Sequence, residues 1–339
     1  MRAGFYNIRD YGRPARRTQI KEFITRQHLD FVALQETMKS SFSPADLRVI
    51  DPLSKFAWHH SLVMGHSGGM LLGVNEDSFD VLGWGSGAFF LRVDVRQLDT
   101  SKEWSLFVVY GPADHRKSGY FLAELSHAVG ACPLPLVVGG DFNLIRGSED
   151  KNNDNIDWPR VHRFNDCIAN LGLWEICRTT ALYTWTNRQL DPFRCMLDRV
   201  FLTTEWETLF PLCSLVADTI IGSDHSPLIL SSGEELRKRS PYFFFEKGWM
   251  ERPNFGEIGA NLGKENRELK AEIQSQIQAL DSEADSSGLN GEGWALRYHL
   301  EGQLTHISKV EEEYWRQHSR VNWLTEGDAN TAFFHAFAM

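Results

Sequence analysis

The sequence predicts an α/β fold, and three observations support this class. Residues 136–138 form an apolar run typical of a strand buried on both faces, and two glycines then lead to Asp141. Apolar residues recur at helical spacing over residues 120–129, and a helix that leads into a buried strand is characteristic of α/β architecture. Five further strand candidates are separated by glycine-rich breaks, at residues 56–63, 70–74, 79–84, 89–95 and 104–110.

Length and composition set the limits for these elements. The chain has 339 residues, of which 42% are hydrophobic, enough to bury a sizeable core in one large domain with an appendage or in two domains. Its five cysteines include no Cys-x-x-Cys pair, which argues against a disulfide framework and a zinc cluster. No apolar run approaches the roughly 18 residues that a membrane helix needs, and the N-terminus shows no signal region. We therefore expect an intracellular protein of the nucleus or cytoplasm, with no membrane association.

The charge of the chain is acidic and unevenly distributed. The formal net charge is −10, which argues against a protein that wraps broadly around nucleic acid, since such proteins carry a basic surface. Residues 251–339 hold 8 basic and 15 acidic residues, whereas residues 1–250 hold 27 and 30. A small, metal-assisted site in the nearly balanced first part is compatible with this charge.

Two polar side chains follow the buried strand at residues 136–138. Asp141 and Asn143 are two positions apart, so their side chains leave the same face of an extended backbone. Gly139 and Gly140 let the backbone turn or let a substrate come close. The same residues could form an ordinary turn, and this stretch alone does not decide between a turn and a site.

Three other polar residues lie where a predicted strand ends. Glu36 follows an apolar run at residues 31–34 and repeats the pattern of Asp141, although it could also cap the next segment. Asn7 lies where a strand gives way to a loop, and a turn asparagine is the alternative. Tyr110 ends its strand candidate, and a half-buried packing tyrosine is the alternative.

Helices and a loop complete the predicted domain. Apolar spacing predicts helices over residues 18–27 and 160–171, the first of which leads into the strand before Glu36. The acidic, asparagine-rich stretch at residues 149–157 is expected to be a solvated loop. A last strand at residues 228–230 is expected to close the domain.

The second half of this domain supplies further candidates. Trp185 lies in a β-rich segment and is either a core residue or a stacking platform for a base, an interaction worth about 1–3 kcal/mol. Asp198 interrupts a predicted strand, and a buried carboxylate needs a partner because an unpaired buried charge is costly. The loop at residues 222–227 presents Asp224 and His225 together, and we expect the partner to come from it.

The candidate residues share one property, because each lies at a strand end or in a loop beside a strand. Carboxylate and amide oxygens are hard ligands that suit Mg²⁺, which prefers one or two carboxylates together with water and substrate phosphate. A histidine beside acids is a means of tuning an imidazole near neutral pH. Together these residues indicate metal-assisted hydrolysis of a phosphate ester. The set is Asn7, Glu36, Tyr110, Asp141, Asn143, Asp198, Asp224 and His225.

Six short motifs resemble a known family. Their order and spacing along residues 1–232 are similar to those of the endonuclease/exonuclease/phosphatase superfamily, which implies a four-layer α/β sandwich of two packed mixed sheets. The forms Val-Tyr-Gly-Pro and Ser-Asp-His-Ser-Pro are most similar to the apurinic-type endonuclease of plant LINE-type (non-LTR) retrotransposons. The motifs are Asn7-Ile8-Arg9, Leu34-Gln35-Glu36, Val109-Tyr110-Gly111-Pro112, Gly140-Asp141-Phe142-Asn143, Leu197-Asp198-Arg199-Val200 and Ser223-Asp224-His225-Ser226.

The resemblance implies a metal site and a water-activating pair. Mg²⁺, with Mn²⁺ as an alternative, would be bound by Asn7, Glu36 and Asp224. Asp141 would orient or deprotonate the attacking water, and Asn143 would position that water. The reaction implied is hydrolysis of a DNA phosphodiester bond by a monomeric nuclease domain.

The resemblance also implies roles for the remaining candidates. His225, oriented by Asp198, and Tyr110 would stabilise negative charge on the phosphoryl oxygens. Arg9 and Trp185 would contact the substrate, and DNA is the partner that the family implies. The tail of the chain could in addition contact another protein.

Two departures from the family pattern keep other functions open. Asp10 stands where family members usually have glycine, and Ala113 stands where they often have asparagine. A phosphomonoesterase or phosphoinositide phosphatase of the same fold is one alternative, although the phosphoinositide phosphatases carry a cysteine just before the Asp-Arg pair that is absent here. A non-catalytic retroelement relic that acts as an interaction module is the other.

The rest of the chain is expected to be a linker at residues 233–250 and a helical segment at residues 251–339. The helical segment resembles the region that precedes the reverse transcriptase in LINE-type polyproteins. Because no Tyr-x-Asp-Asp motif follows it, the chain resembles a truncated fragment of such a polyprotein. Two narrow apolar stripes predict a hairpin of two helices joined by a loop at residues 281–293. We expect this hairpin to pack on itself or on a partner, and we expect residues 1–232 to fold without it. The stripes are Leu262, Leu269, Ile273, Ile277 and Leu280, and Leu300, Leu304, Ile307, Tyr314 and Val321.

Overall fold

The computed structural model describes residues 1–13, 15–61, 68–219, 221–233 and 255–326. Most of the predicted linker and the side chains of Leu262, Tyr314 and Val321 lie outside the described part of the chain. In chain order, the strands are β1 (Arg2–Asn7), β2 (Phe31–Gln35), β3 (Phe56–His60), β4 (Met70–Asn75), β5 (Phe79–Ser86), β6 (Phe90–Gln97), β7 (Glu103–Tyr110), β8 (Leu136–Asp141), β9 (Trp174–Glu175), β10 (Trp185–Thr186), β11 (Arg194–Cys195), β12 (Asp198–Leu202), β13 (Ser214–Ala217) and β14 (Leu228–Ser231). The helices are α1 (Arg16–Gln27), α2 (Pro44–Ile50), α3 (Ser118–Gly130), α4 (Trp158–Asn170), α5 (Thr204–Leu209), α6 (Phe255–Ser286) and α7 (Gly291–Glu326).

The described strands form two six-stranded sheets and one two-stranded ladder of β10 with β11. The first sheet has the order β13-β14-β1-β2-β4-β3, and the second has the order β5-β6-β7-β8-β12-β9. Both sheets are mixed, because β1 and β2 run parallel in the first and β7 and β8 run parallel in the second. The first and last strands of this domain are neighbours, with Arg2 opposite Ser231 in the β1–β14 ladder.

The two sheets pack face to face, and helices cover their outer faces. Phe5 of the first sheet and Trp104 of the second belong to the same central core. Phe121 of α3 and Phe164 of α4 pack on the outer face of the second sheet, and Phe23 of α1 packs on the outer face of the first. This is the predicted four-layer α/β sandwich, and a C-terminal helical extension follows it as predicted.

The central strand β8 is buried on both faces, as its apolar run predicts. Val137 points into the core between the sheets, whereas Leu136 and Val138 point into the core under α3 and α4. Gly139 allows close packing of the sheets, because an added Cβ would lie 2.5 Å from the ring of Phe5. Gly139 therefore allows the two sheets to pack closely at this position.

Most of the predicted elements are present. The five strands predicted in residues 56–110 are β3 to β7, although the predicted residues 62–63 lie outside the described part. The three predicted helices of this domain are α1, α3 and α4. The short helices α2 and α5, of 7 and 6 residues, are too brief to show apolar periodicity. Their N-caps, Ser43 with a capping box and Thr203, were the available signals.

The prediction that residues 149–157 form a wholly solvated loop was wrong at Asp150. Asp150 is only 4% exposed, and its carboxylate accepts hydrogen bonds from the backbone N–H groups of Arg146 and Gly147 at 2.5 and 3.1 Å. The same carboxylate pairs with the buried Arg199, which also donates to Glu175 at 2.7 Å. A local reading of acidic composition cannot detect this partner, because Arg199 is distant in the chain.

The loop predicted at residues 281–293 is shorter than expected. Helix α6 continues to Ser286, and α7 begins at Gly291. Two acidic residues of this part of α6 have cationic partners, since Asp281 accepts from Arg297 at 2.9 Å and Asp285 pairs with Arg194 at 2.8 Å. The helical hairpin, α6 with α7, packs on itself through Ile273, Ile277, Leu300 and Leu304, as predicted.

The helical hairpin also contacts the α/β domain, mainly through ion pairs. Lys270 pairs with Glu22 of α1 at 2.6 Å, and Arg194 pairs with Asp285 at 2.8 Å. Ile221 is an apolar contact of the domain with the hairpin core. Among the described helices, none has the length and apolar character needed to cross a lipid bilayer.

Removal of the chain after residue 235 is expected to leave a cooperatively folded α/β domain. Every described strand of the two sheets lies within residues 2–231, so no sheet hydrogen bond is lost. Circular dichroism and thermal melts of residues 1–235 and of the full-length chain measure this. A truncated form without a cooperative transition would show that the hairpin belongs to the core and that the predicted boundary is wrong.

Replacement of Arg199 is expected to destabilise the domain strongly. The variant Arg199→Met leaves the carboxylate of Asp150 buried without its cationic partner, a change that typically costs about 3–5 kcal/mol. Denaturant unfolding measures the loss. The control Arg96→Met removes an exposed pair with Glu103 and should cost no more than about 1 kcal/mol. Equal losses in the two variants would contradict the assignment of a structural ion-pair cluster.

Candidate active site

The predicted site residues converge at one end of the sandwich. Parallel pairing places the carboxyl ends of β1 and β2 together, with Asn7 opposite Gln35, and those of β7 and β8 together, with Tyr110 opposite Asp141. These ends border a cleft of about 550 Å³. Nine of the ten predicted residues line it: Asn7, Arg9, Glu36, Tyr110, Asp141, Asn143, Trp185, Asp224 and His225. The tenth, Asp198, is buried directly behind His225.

Asp141 and Asn143 form a local hydrogen-bonded turn at the end of β8. The backbone N–H of Asn143 donates to Asp141 Oδ1 at 2.9 Å, and Asn143 Nδ2 donates to Asp141 Oδ2 at 3.1 Å. Asn143 has a left-handed backbone, with φ 50°, which asparagine tolerates better than most residues. The turn and the site, which the sequence offered as alternatives, are therefore the same structure.

Asn7 connects Asp141 with the His225 side chain. Its Nδ2 donates to Asp141 Oδ2 at 3.0 Å and lies 3.4 Å from His225 Nε2. Its Oδ1 accepts from the backbone N–H of Arg9 at 3.2 Å. Asn7 is 1% exposed. Its carboxamide is held by Asp141 on the cleft side and by the backbone of Arg9 in the loop that follows β1.

His225 is flanked by two buried carboxylates. Its Nδ1 lies 2.8 Å from Asp198 Oδ2, and its Nε2 faces Asp141 Oδ2 at 3.8 Å. Burial alone would lower the pKa of the imidazole, but Asp198 and Asp141 outweigh this effect and raise that pKa to about 10. The ring is thus held as a cation at neutral pH, and the expectation of an imidazole tuned near neutrality was wrong because two acids face it.

Asp141 has an environment that favours its protonated form. Burial raises the pKa of its carboxyl group to about 7, while the cationic His225 opposes the shift and Asp198 adds to it. The two carboxylates are direct neighbours, because Asp198 lies opposite Asp141 in the β8–β12 ladder. A carboxyl group that titrates near neutral pH is suited to accept a proton at physiological pH.

Glu36 and Tyr110 meet beside Asp141, because Tyr110 lies opposite Asp141 in the β7–β8 ladder. Tyr110 Oη donates to Glu36 Oε1 at 3.0 Å. Burial, with the nearby carboxylates of Glu36 and Asp141, raises the pKa of the phenol, which therefore remains a neutral hydrogen-bond donor. The ring of Tyr110 packs in the central core while its hydroxyl reaches the cleft. The packing alternative is therefore correct for the ring but does not account for the hydroxyl.

Asp224 lies on the third side of the cleft and is 4% exposed. It accepts a hydrogen bond from Trp185 Nε1 at 3.0 Å and pairs with the half-exposed Arg9. Its Oδ1 is buried and has no hydrogen-bond partner among the described residues. The indole of Trp185 thus orients Asp224, and its ring contacts Phe193 edge to face with centroids 5.9 Å apart.

The described site offers two sets of residues that could hold a metal ion. Ligand atoms of Asp141, Asp198 and His225 lie within 4.8 Å of one another, but Asp198 and His225 Nδ1 are already joined by a hydrogen bond of 2.8 Å. The oxygen donors of Asn7, Glu36 and Asp224 line the cleft, and the unpartnered Asp224 Oδ1 is the free acceptor that a hard cation needs. The chemistry of this second set fits Mg²⁺.

Two hydroxyl groups hold the site and were not predicted. Thr184 Oγ1 accepts from the backbone N–H groups of Leu197 and Asp198 at 3.0 and 2.9 Å. Ser223 Oγ donates to the carbonyl of Asn7 at 2.7 Å and accepts from the backbone N–H of His225 at 3.2 Å. Ser223 lies within a quoted motif, but no local signal links either hydroxyl to the strand end that it supports.

A cationic wall of the cleft was also missed. Lys151 and Arg160 line the cleft beside His115, whose pKa is lowered by burial. Lys151 lies over the ring of Phe193 at 5.0 Å, and Arg160 pairs with Asp157 at 2.7 Å. These residues come from segments that the sequence showed only as a loop and a helix start, so their shared position required the fold.

The fold and the site together define the class: a four-layer α/β sandwich with a carboxylate-rich cleft at the ends of its two sheets. Residues 4–225 match the model of the Endonuclease/Exonuclease/phosphatase family, and the chain belongs to this family.

Two solved structures illustrate the similarity of fold. The endonuclease domain of TRAS1, a telomere-specific non-LTR retrotransposon, is 18% identical, with a TM-score of 0.52 over 68% of this chain and 96% of that one. The AP endonuclease LMAP from Leishmania major is 13% identical, with a TM-score of 0.54 over 68% of this chain and 86% of that one. Comparison with curated proteins finds no match.

Loss of the Thr184 hydroxyl is expected to destabilise the start of β12, which carries Asp198. In Thr184→Val, the buried N–H groups of Leu197 and Asp198 lose their acceptor, at a cost of about 1–3 kcal/mol for each unsatisfied group. Urea unfolding measures the cost. Thr184→Ser keeps the oxygen and should lose much less, so equal destabilisation by valine and serine would contradict the hydrogen-bond explanation.

Proposed function

We propose that this protein is a Mg²⁺-dependent endonuclease that hydrolyses DNA phosphodiester bonds and derives from a LINE-type retrotransposon. The observation that carries the proposal is the meeting of the carboxyl group of Asp141 with His225, which Asp198 holds through Nδ1, in one open cleft. A base beside a charge stabiliser in one cleft is what phosphate-ester hydrolysis requires. The retroelement origin rests on the sequence motifs and on the resemblance of the tail.

In this proposal, Asn7, Glu36 and Asp224 hold the metal ion, with Mn²⁺ as an alternative to Mg²⁺. When bound, the ion supplies a positive charge that polarises the phosphoryl group and stabilises developing negative charge. Tyr110 keeps Glu36 oriented through its hydrogen bond, and Trp185 does the same for Asp224.

The side chains of the protein activate the water and stabilise the developing charge. Asp141, held by Asn7 and Asn143, orients the attacking water and accepts its proton. His225, held as a cation by Asp198, places Nε2 toward the cleft and stabilises negative charge on the phosphoryl oxygens. The single O–H of Tyr110 stays on Glu36, so Tyr110 contributes through the orientation of that carboxylate.

The walls of the cleft favour a nucleic acid over a small phosphoester. Lys151 and Arg160 add cationic side chains beyond the residues that act on the phosphate, and Arg160 is also paired with Asp157. Arg9, with a side chain 48% exposed, borders the other side. Separate cations along one cleft suit a chain of phosphates, and contacts of this kind dominate DNA affinity. The ring of Trp185 lines the cleft and is available to a base.

The departure at Asp10 does not place an additional acid in the cleft. Asp10 Oδ1 accepts from the backbone N–H of Gly12 at 2.8 Å, and its own N–H donates to the carbonyl of Glu36 at 2.7 Å. The carboxylate therefore serves its own loop and is not among the residues that line the cleft. This geometry supports an active nuclease over the relic alternative.

The purified full-length protein is expected to nick supercoiled plasmid DNA in the presence of Mg²⁺. Asp141→Ala and His225→Ala should each lower the nicking rate by about two to four orders of magnitude, because each removes a positioned acid–base or electrostatic group. Gel separation of supercoiled and nicked plasmid measures the rate. The control Asp80→Ala removes an exposed carboxylate of β5 outside the cleft and should cut at the wild-type rate.

Two other outcomes would replace the proposal. Phosphate release from a small phosphomonoester without plasmid nicking would indicate the phosphatase alternative. Thermal stabilisation by Mg²⁺ without any cleavage would indicate a relic that binds metal but does not act on DNA.

A further inference from the structure

The segment that carries Asp224 and His225 is held by the helical hairpin as well as by the α/β domain. We call residues 221–226 the His225 loop. Glu301 of α7 reaches this loop, and its side chain is only 3% exposed. Its carboxylate accepts from the backbone N–H of Gly222 at 2.8 Å and pairs with Arg188 at 2.6 Å and Arg297 at 2.7 Å.

Arg188 makes a second connection from Glu301 to the same loop. Its other guanidinium nitrogen donates to the carbonyl of Ser223 at 3.1 Å. Ser223 in turn contacts the carbonyl of Asn7 and the backbone N–H of His225. The carboxylate of Glu301 is thus linked, through Gly222 and through Arg188, to the residue that sets the backbone of His225.

The opposite side of the loop is held by different contacts. Arg16 of α1, which is 2% exposed, donates to the carbonyl of Gly222 at 2.5 Å. The side chain of Ile221 packs against the apolar core of the helical hairpin. The peptide of Gly222 is therefore fixed at its carbonyl by the domain and at its N–H by the hairpin.

A second carboxylate of the hairpin provides an internal comparison. Asp285 of α6 also joins the hairpin to the domain, because it pairs with Arg194 and accepts from the backbone N–H of Leu182 at 2.8 Å. These contacts lie outside the His225 loop. Docking of the hairpin in general therefore involves Asp285 and Glu301 alike, but of these two carboxylates Glu301 is the one that contacts the His225 loop.

We propose that Glu301 is a positioning residue for the proposed nuclease site, acting through Gly222 and Arg188 to fix the His225 loop. The helical hairpin then sets the placement of Asp224 and His225 from outside the α/β domain. The kinetic part of this inference rests on the proposed function, whereas the order of the loop does not. A displacement of about 1 Å in a reacting group can cost about 100-fold in rate.

The first test measures the loop without any activity. Full-length Glu301→Gln keeps the size of the side chain but removes the charge that pairs with Arg188. Hydrogen–deuterium exchange with mass spectrometry should show faster uptake in peptides that cover residues 221–226. Asp285→Asn should show faster uptake around Leu182 and leave residues 221–226 unchanged. Unchanged loop uptake in Glu301→Gln, or equal loop uptake in both variants, would overturn the proposal.

The second test separates positioning from simple docking. In the plasmid assay, Glu301→Gln should lower kcat by about tenfold or more with little change in KM for DNA, whereas Asp285→Asn should keep the wild-type kcat. Arg188→Gln should also lower kcat, and the double variant with Glu301→Gln should lose less than the sum of the two single losses, because Glu301 and Arg188 share one of the two connections to the loop. Additive losses, or wild-type kcat in Glu301→Gln, would refute the inference.

The outcomes for the inference and for the proposed function are distinct. A wild-type protein that does not nick DNA would remove the proposed function, while the exchange experiment would still decide whether Glu301 orders the loop. A wild-type protein that nicks DNA, with Glu301→Gln equally active and equally protected, would leave the nuclease in place and remove the positioning role.

Discussion

The site depends on two buried carboxylates that the sheet places side by side. Asp141 and Asp198 are partners across the β8–β12 ladder, each at most 3% exposed. Two like charges in a low-dielectric interior are tolerated only with a compensating charge. His225 supplies it, with one ring nitrogen on Asp198 and the other facing Asp141. The strand register therefore brings together the two carboxylates that raise the pKa of His225, whereas burial is the main cause of the raised pKa of Asp141.

This dependence explains why so many contacts converge on the loop that carries His225. A cation that must lie between two carboxylates cannot shift without leaving them unpaired. Ser223 ties the loop to the end of β1, Thr184 ties the start of β12, and Arg16 fixes the backbone of Gly222. The helical hairpin adds Glu301 to the same loop, so elements from the whole length of the described chain meet there.

Features of the site that follow from short stretches of sequence could be predicted. Asp141 and Asn143 are close in the chain, and an apolar strand that ends in an acid indicates where a sheet edge becomes polar. The cost of a buried charge was enough to expect a partner for Asp198 in the loop at residues 222–227. These inferences use the alternation of a strand and the energetics of burial, which a sequence expresses directly.

Features that depend on contacts between distant residues could not be predicted. The burial of Asp150 follows from Arg199, and the role of Glu301 follows from Gly222, which is 79 positions away. Acidic composition at residues 149–157 and at residues 281–286 gave the wrong local structure for the same reason. An acid paired with a distant arginine cannot be distinguished in sequence from an acid that faces water.

The neighbouring positions of β1 and β14 have a consequence for the synthesis of this protein. Arg2 leaves the ribosome well before its partner in the sheet, Ser231, which is made more than 200 residues later. The first sheet cannot close, and Asn7 cannot meet His225, until nearly the whole α/β domain has emerged. Contacts of such long sequence separation form slowly and late. A growing chain therefore carries no assembled cleft until β14 has been made and can pair with β1.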